Sequence, residues 1–320
     1  MEIGPDGAIR GEVRAVGHQR VAHGLYRVET PELSSWENFL LDLSALRLVL
    51  PSSAAFTHVT GARLRGWDLP ALPEKVPFFA AVREDSRPRR PGVICSRLTH
   101  PSKVDLVHGL PVDEPAEIVL RAARDLGEVD LAIMLESAVR LRDLDEEVLE
   151  EVLASRRPGT RLLRRVWERR NARSESPGET LLHKFHQVME VKTEPQVDIV
   201  DDQGRFVCRA DLLVSGTTSL HEYDGEIHRD KDVHRRDLRR ERALSSTPYV
   251  RRGYTLDDLL NHPAALMHEL DRLLGRGHRP QRLTAWRTLI GDSLYSQAGR
   301  ARVMNRWYRS TNPTDWSRTA

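Results

Sequence analysis

Asp211, Glu222, Asp224 and His228 fall close together in the middle of a 320-residue chain. Ala210, Leu212 and Val214 alternate with Asp211, which predicts a strand that turns the carboxylate away from those apolar neighbours. After a turn at Ser215-Gly216-Thr217-Thr218, a second strand carries Glu222 and Asp224 two residues apart, hence on one face. Such a hairpin can bring three carboxylates together. Hard divalent cations, Mg2+ or Mn2+, take carboxylate and water oxygens, acidify an attacking water and neutralise charge on a phosphate, as phosphodiester cleavage requires. The same residues also suit a plain hairpin with a solvated acidic face, so their surroundings decide between the two.

Gly225 ends the second strand, and His228 follows at the start of a helix, where it can exchange a proton near neutral pH or simply face solvent. Beyond it Arg235, Arg239 and Arg242 stand at i, i+4 and i+7, one stripe of that helix, with Arg236 and Arg240 alongside. Such a stripe grips phosphates, or it is a solvated face paired with Asp232, Asp237 and Glu241. Upstream, Ser176-Pro177-Gly178-Glu179 reads as an N-cap, a first-turn proline and the glutamate of a capping box. Capping alone accounts for Glu179, so a catalytic role there needs separate support.

The elements that must hold these residues are a helix over 177–189, strands over 196–200, 206–214 and 219–224, a helix over 229–244, a strand over 249–252 and a helix from 256. That order suits an α/β fold with a mixed sheet flanked by helices. The first half reads as a separate α+β domain. It has a strand over 20–28, helices over 36–46 and 56–65 with Gly66 as a left-handed cap, strands over 76–82 and 92–98, three short helices between 114 and 154, and a basic helix over 161–170. The polar stretch 171–178 marks the junction. The expected organisation is therefore 1–170, 171–280, and a basic tail over 281–320 whose Trp286, Trp307 and Trp316 have no clear place in either core.

With 39% hydrophobic and 30% charged residues the chain is globular and richer in charge than the average of about 25%. A net charge of +2 points to no partner by itself. The basic residues are almost all arginine, with five lysines, a bias that GC-rich coding also produces, so only the clustering of arginines is informative. Cys95 and Cys208 form no CxxC pair, which suggests a reducing, cytoplasmic setting, and neither a signal peptide nor a membrane-length apolar run is visible. P-loop, GxGxxG and GxSxG patterns are missing, and His183 with His186 lacks a third ligand for zinc.

The block SxSPGE, a hairpin with QGRFVCRAD, the string EYDGEIH and the basic helix after it resemble the very-short-patch-repair-like endonucleases of the PD-(D/E)XK superfamily over about residues 174–260. The resemblance implies a restriction-endonuclease-like sheet and an Mg2+- or Mn2+-dependent DNA endonuclease. It also implies metal ligation at Asp211 and Glu222, a first-helix position for Glu179 and proton transfer at His228. The lysine expected two residues after Glu222 is Asp224 here. The water is then oriented by Lys231 or His228, or the domain binds without cutting. HGLYRV at 23–28, THVTGARLRGW at 57–67 and VDEPAEIVLRAA at 112–123 resemble AbiEi-type antitoxin proteins, which implies a substrate or partner domain whose winged helix is shortened or missing, since about twenty residues precede His23. One site per chain makes a monomer a nickase and a homodimer a double-strand cutter. The rival expectation is a non-catalytic DNA-binding or antitoxin-like regulator.

Overall fold

A computed structural model describes residues 2–4, 7–11, 16–83, 90–98, 100, 102–225 and 242–311. The fold is mixed α/β, and among the described residues the strands form three sheets. The first is an antiparallel sheet in the order β1 (Glu2–Ile3), β2 (Ile9–Arg10), β4 (Leu25–Val28), β3 (His18–Ala22). The continuous strand expected over 20–28 is thus a hairpin, broken where Gly24 takes φ 64°. Helix α1 (Ser35–Leu46) follows, opened by a reciprocal capping box between Ser34 and Glu37.

The second sheet has the order β7 (Val93–Arg97), β6 (Phe78–Val82), β5 (Ala55–Phe56), β9 (Leu110–Asp113), β8 (Val104–Val107). Helix α2 (His58–Leu64) leads to Gly66 at φ 72°, the left-handed stop expected from sequence. The β8–β9 hairpin has no counterpart in the sequence reading. His108 and Gly109, at φ 52° and 75°, give its two-residue loop the left-handed pair that matches strand twist. Helices α3 (Pro115–Ala122), α4 (Glu128–Arg140), α5 (Glu146–Ala154) and α6 (Thr160–Glu168) then stack beside this sheet.

The third sheet runs β10 (Thr193–Val200), β11 (Phe206–Val214), β12 (Ser219–Tyr223), β13 (Val250–Tyr254), with α7 (Pro177–Val188) packed on β12. Its first two pairings are antiparallel and its last parallel, so the chain must cross over between β12 and β13. Helices α8 (Leu256–Asn261), α9 (Pro263–Leu273), α10 (Pro280–Gly291) and α11 (Gln297–Thr311) complete the described chain. No helix among the described residues is long and apolar enough to cross a membrane.

Trp286 and Trp307, which have no clear place in either core by sequence, are buried in the structure, whereas Trp316 lies outside the described residues. Trp286 of α10 is 1% exposed, meets Phe185 of α7 edge-on at 5.0 Å, and donates to Leu259 O at 2.8 Å. Trp307 of α11 returns to the N-terminal core, against Phe79 at 5.4 Å and His58 at 6.1 Å, and its indole N–H meets Asp125 Oδ2 at 3.2 Å. The local sequence is too charged to look like core because each helix turns one narrow stripe inward: Trp286 with Arg282, then Gly299, Val303 and Trp307. Trp307→Ala should therefore destabilise the chain by about 3–5 kcal/mol in urea unfolding, the usual loss for emptying a buried aromatic site. A change within about 0.5 kcal/mol would instead make α11 peripheral.

Candidate functional site

The β11–β12 hairpin pairs Leu213 with Leu220 and Leu212 with His221, a register that sets Asp211 opposite Glu222 and on the same face. Backbone pairing stops there. Beyond it the Tyr223 N–H donates to Asp211 Oδ2 at 2.8 Å, so the carboxylate sits where the two strands part. On the other side, β10 pairs Pro195 with Leu212 and Val197 with Ala210, leaving Gln196 out of the ladder opposite Asp211. Gln196 has φ 52°, a left-handed backbone that costs a non-glycine residue about 1–3 kcal/mol. The distortion aims its side chain across the sheet end, where Nε2 donates to Glu179 Oε2 at 2.9 Å.

Glu179 lies in the first turn of α7. Ser176 Oγ accepts the Glu179 N–H at 3.2 Å, and the Glu179 carboxylate accepts from Ser176 Oγ at 3.0 Å and the Glu175 N–H at 2.8 Å. Burial raises its pKa above the ordinary carboxylate value, against the lowering effect of these donors. Gly178 lets the helix start lie on the Tyr223 ring, since a Cβ there would overlap the ring. The cap thus has its structural purpose, and it also carries Glu179 to the end of the sheet that holds Asp211.

Glu222 is buried and Asp224 half-buried. Arg251 joins them: Nε donates to Glu222 Oε2 at 2.5 Å and Nη2 to Asp224 Oδ1 at 2.7 Å. Parallel pairing of Leu220 with Arg251 and Glu222 with Gly253 puts the guanidinium on the carboxylate face, and the bare Gly253 gives Asp224 room, because a Cβ there would strike its Oδ2. Asp211 and Glu222, opposite each other on one face, are the pair that could each offer a carboxylate oxygen to a hard cation. Asp224 is engaged by Arg251. Among the described residues no group of three or more His, Cys, Asp or Glu side chains is arranged to hold a metal ion.

The opposite face of β12 carries a buried polar chain under α7. His186 Nδ1 lies 2.8 Å from Leu182 O, which can only accept, so Nδ1 bears the proton and neutral Nε2 accepts from His221 Nδ1 at 2.7 Å. His221 Nε2 then accepts from Ser219 Oγ at 2.9 Å. Burial drives the pKa of His186 down to about 4, and that of His221 is lowered by burial and by its neighbour. Hence His186 belongs to the core, and a zinc role for His183 and His186 has no support in this arrangement.

Of the other expected residues, His228, Lys231, Arg235 and Arg239 lie outside the described residues, while Arg242 is exposed. Gln196, His221 and Arg251 were not singled out by sequence. Alternation from Glu222 places His221 on the inner face, a legible signal, whereas neither the left-handed turn at Gln196 nor the reach of Arg251 to two carboxylates of the neighbouring strand leaves a local mark.

The histidine chain makes stability depend on pH with a definite sign. A histidine whose folded pKa is depressed stabilises fully above its unfolded value of 6.5 and loses that contribution as pH falls through about 4, a loss of about 3 kcal/mol at most for His186. Asp130, which burial lifts from 3.8 to about 6, acts oppositely: the native state keeps the proton longer, so stability falls as pH rises through that window. Chemical unfolding of Asp130→Asn from pH 7 to 4 should thus show a steeper acid loss than the parent. A parallel pair of curves would remove Asp130 from the account.

No protein-family model matches the chain, and no characterised protein or solved structure is significantly similar to it.

Proposed function

We propose that the third sheet and α7 form the catalytic centre of an Mg2+- or Mn2+-dependent DNA endonuclease with a restriction-endonuclease-like core. The observation that carries this reading is the convergence at one sheet end of Asp211 in the strand fork, Glu222 beside it on the same face, and Glu179 reaching the same point through Gln196. Backbone strain and a broken ladder at that point are features concentrated at functional sites.

Asp211 and Glu222 would hold the ion, which when bound supplies an acidified water and charge neutralisation at the phosphate. Gln196 and the α7 cap orient Glu179, whose raised pKa suits it to hold a proton near the site. His228 is assigned proton transfer at a leaving or attacking oxygen, since magnesium prefers oxygen ligands to imidazole. DNA is the proposed substrate, nicked by a monomer or cut on both strands by a homodimer.

One observation favours a second reading, a DNA-binding or antitoxin-like regulator without cleavage. Arg251 already balances Glu222 and Asp224, so their charge does not require an ion. Incubation of supercoiled plasmid with and without Mn2+ separates the two. Asp211→Asn and Glu222→Gln should abolish Mn2+-dependent nicking with the fold retained, Asp224→Asn should weaken it less, and His228→Ala should slow it by about 10²–10⁴-fold with metal affinity intact. No nicking by the parent, together with no Mn2+ binding by calorimetry, would establish the regulator.

Arg251→Ala gives an independent readout. Glu222, buried and deprived of its cation, should lower the apo melting temperature, and Mn2+ should restore it more than it stabilises the parent. An equal Mn2+ effect on parent and variant would place any ion elsewhere.

A further inference from the structure

A groove of about 1120 Å³ lies where the turn between α5 and α6 meets the end of α3 and one side of α11. Seven arginines line it, and no aspartate or glutamate does. For a chain whose net charge is +2, that local excess cannot follow from average composition. Leu162 and Arg165 also line a second groove, of about 930 Å³, between α6 and α10, where Arg169 and Arg302 stand with Glu128 and Asp292.

The turn that builds it is fixed from below. Gly159, at φ 100°, lets the chain pass close to Leu120 O, and Arg124 Nε donates to Pro158 O at 3.1 Å. Arg157 is anchored to Glu117 at 2.6 Å, and Arg306 on the far wall to Asp125 at 2.6 Å. Arg156, Arg161 and Arg164 differ: they are exposed and have no ion pair among the described residues. Helix α6 turns Leu163, Val166 and Trp167 inward and Arg161, Arg164 and Arg165 outward. Arg165 is paired with Glu128 at 2.7 Å, whereas Arg161 and Arg164, at i and i+3, are like charges at a spacing that repels, and an anion in the groove relieves them.

The chemistry of the lining specifies the anion. Guanidinium forks match phosphate oxygens in a plane, and several in a row match a repeating phosphate better than a single ion. Neither groove contains an aromatic residue, so unstacked bases would find no platform. We propose that this groove binds the sugar-phosphate backbone of a nucleic-acid duplex without reading its bases. The site is distinct from the carboxylates of the third sheet, and its occupancy does not require cleavage.

The test measures binding of the full chain in EDTA to a short fluorescent DNA duplex, to one of its single strands and to an RNA duplex, over a range of salt. Arg156→Gln, Arg161→Gln and Arg164→Gln together should weaken duplex binding about tenfold or more and flatten the slope of log affinity against log salt by about two to three, the counterions of three phosphates. Binding of both duplexes, or of either one, with that loss supports the groove and identifies the source of the phosphates. Unchanged affinity and slope in the triple variant, or a parent that prefers the single strand, overturns it. If the triple variant fails to unfold cooperatively, Arg161→Glu alone reads the same slope. Binding is read in EDTA, where no metal-dependent cleavage occurs, so a failure of the nuclease reading leaves this result standing and the reverse also holds.

Discussion

Helix α4 is buried on every side from Val129 to Ala138, and the rest of the molecule is arranged around the demands of the polar groups inside it. A helix apolar all round needs only neighbours, but α4 also buries Asp130, Glu136 and Ser137, whose oxygens cannot be left without donors. Asp130 takes Ser293 Oγ at 2.6 Å and the Leu294 N–H at 3.0 Å, which fixes where the chain turns into α11. Glu136 takes the Asn171 N–H at 2.8 Å and Thr180 Oγ1 at 2.7 Å, which fixes the entry to α7. Val129 and Ile133 face the core of the third sheet, whereas Leu131, Met134 and Leu135 face that of the second. The two halves are therefore joined through one helix, and residues that sequence assigns to one half complete the other.

The position of Glu179 follows from this constraint. Thr180, held by Glu136, sits next to Glu179 in the first turn of α7, and the contact of Gly178 with Tyr223 seats the same turn on β12. Asp211 and Gln196 approach from the sheet side, where pairing fails and the backbone is strained. None of these devices is large. Together they bring Asp211, Glu222 and Glu179 to the same end of the sheet, where partial burial of like charges is relieved by a cation or by a retained proton, as the raised pKa of Glu179 shows. Arg251 supplies one for Glu222 and Asp224, so an ion at Asp211 and Glu222 would have to share Glu222 with a guanidinium. That shared oxygen is the physical basis on which a cutting and a merely binding protein would differ.

Charge is handled differently at the α5–α6 turn. There the carboxylates Glu117 and Asp125 lie beneath the arginines that define the walls, and the outermost guanidinium groups are left facing water. Rigid walls with an unbalanced rim present a field to solvent, whereas the sheet end closes its charges on one another.

The sequence by itself determined whatever depends on near neighbours. Period-two alternation set Asp211 opposite its apolar neighbours and put Glu222 and Asp224 on one face, the Ser-Pro-Gly-Glu string set the start of α7, Gly66 stopped α2, and the apolar spacing gave the helices between 114 and 154. These signals are local because a pleat or a cap is made within a few residues. Tertiary structure alone decided that Arg251 would bridge two carboxylates, that His221 would continue a proton-ordered chain into α7, and that Trp307 would cross back to Phe79 and His58. It also decided that arginines from the turn after α3, the α5–α6 turn, α6 and α11 would share one groove. Each of these joins residues far apart in the chain, and no periodicity records them: an arginine on a half-exposed strand or a tryptophan on a charged helix reads alike whether its partner is water or a distant core. Which it meets is settled only when the apolar stripes close and the buried polar groups of α4 have found their donors.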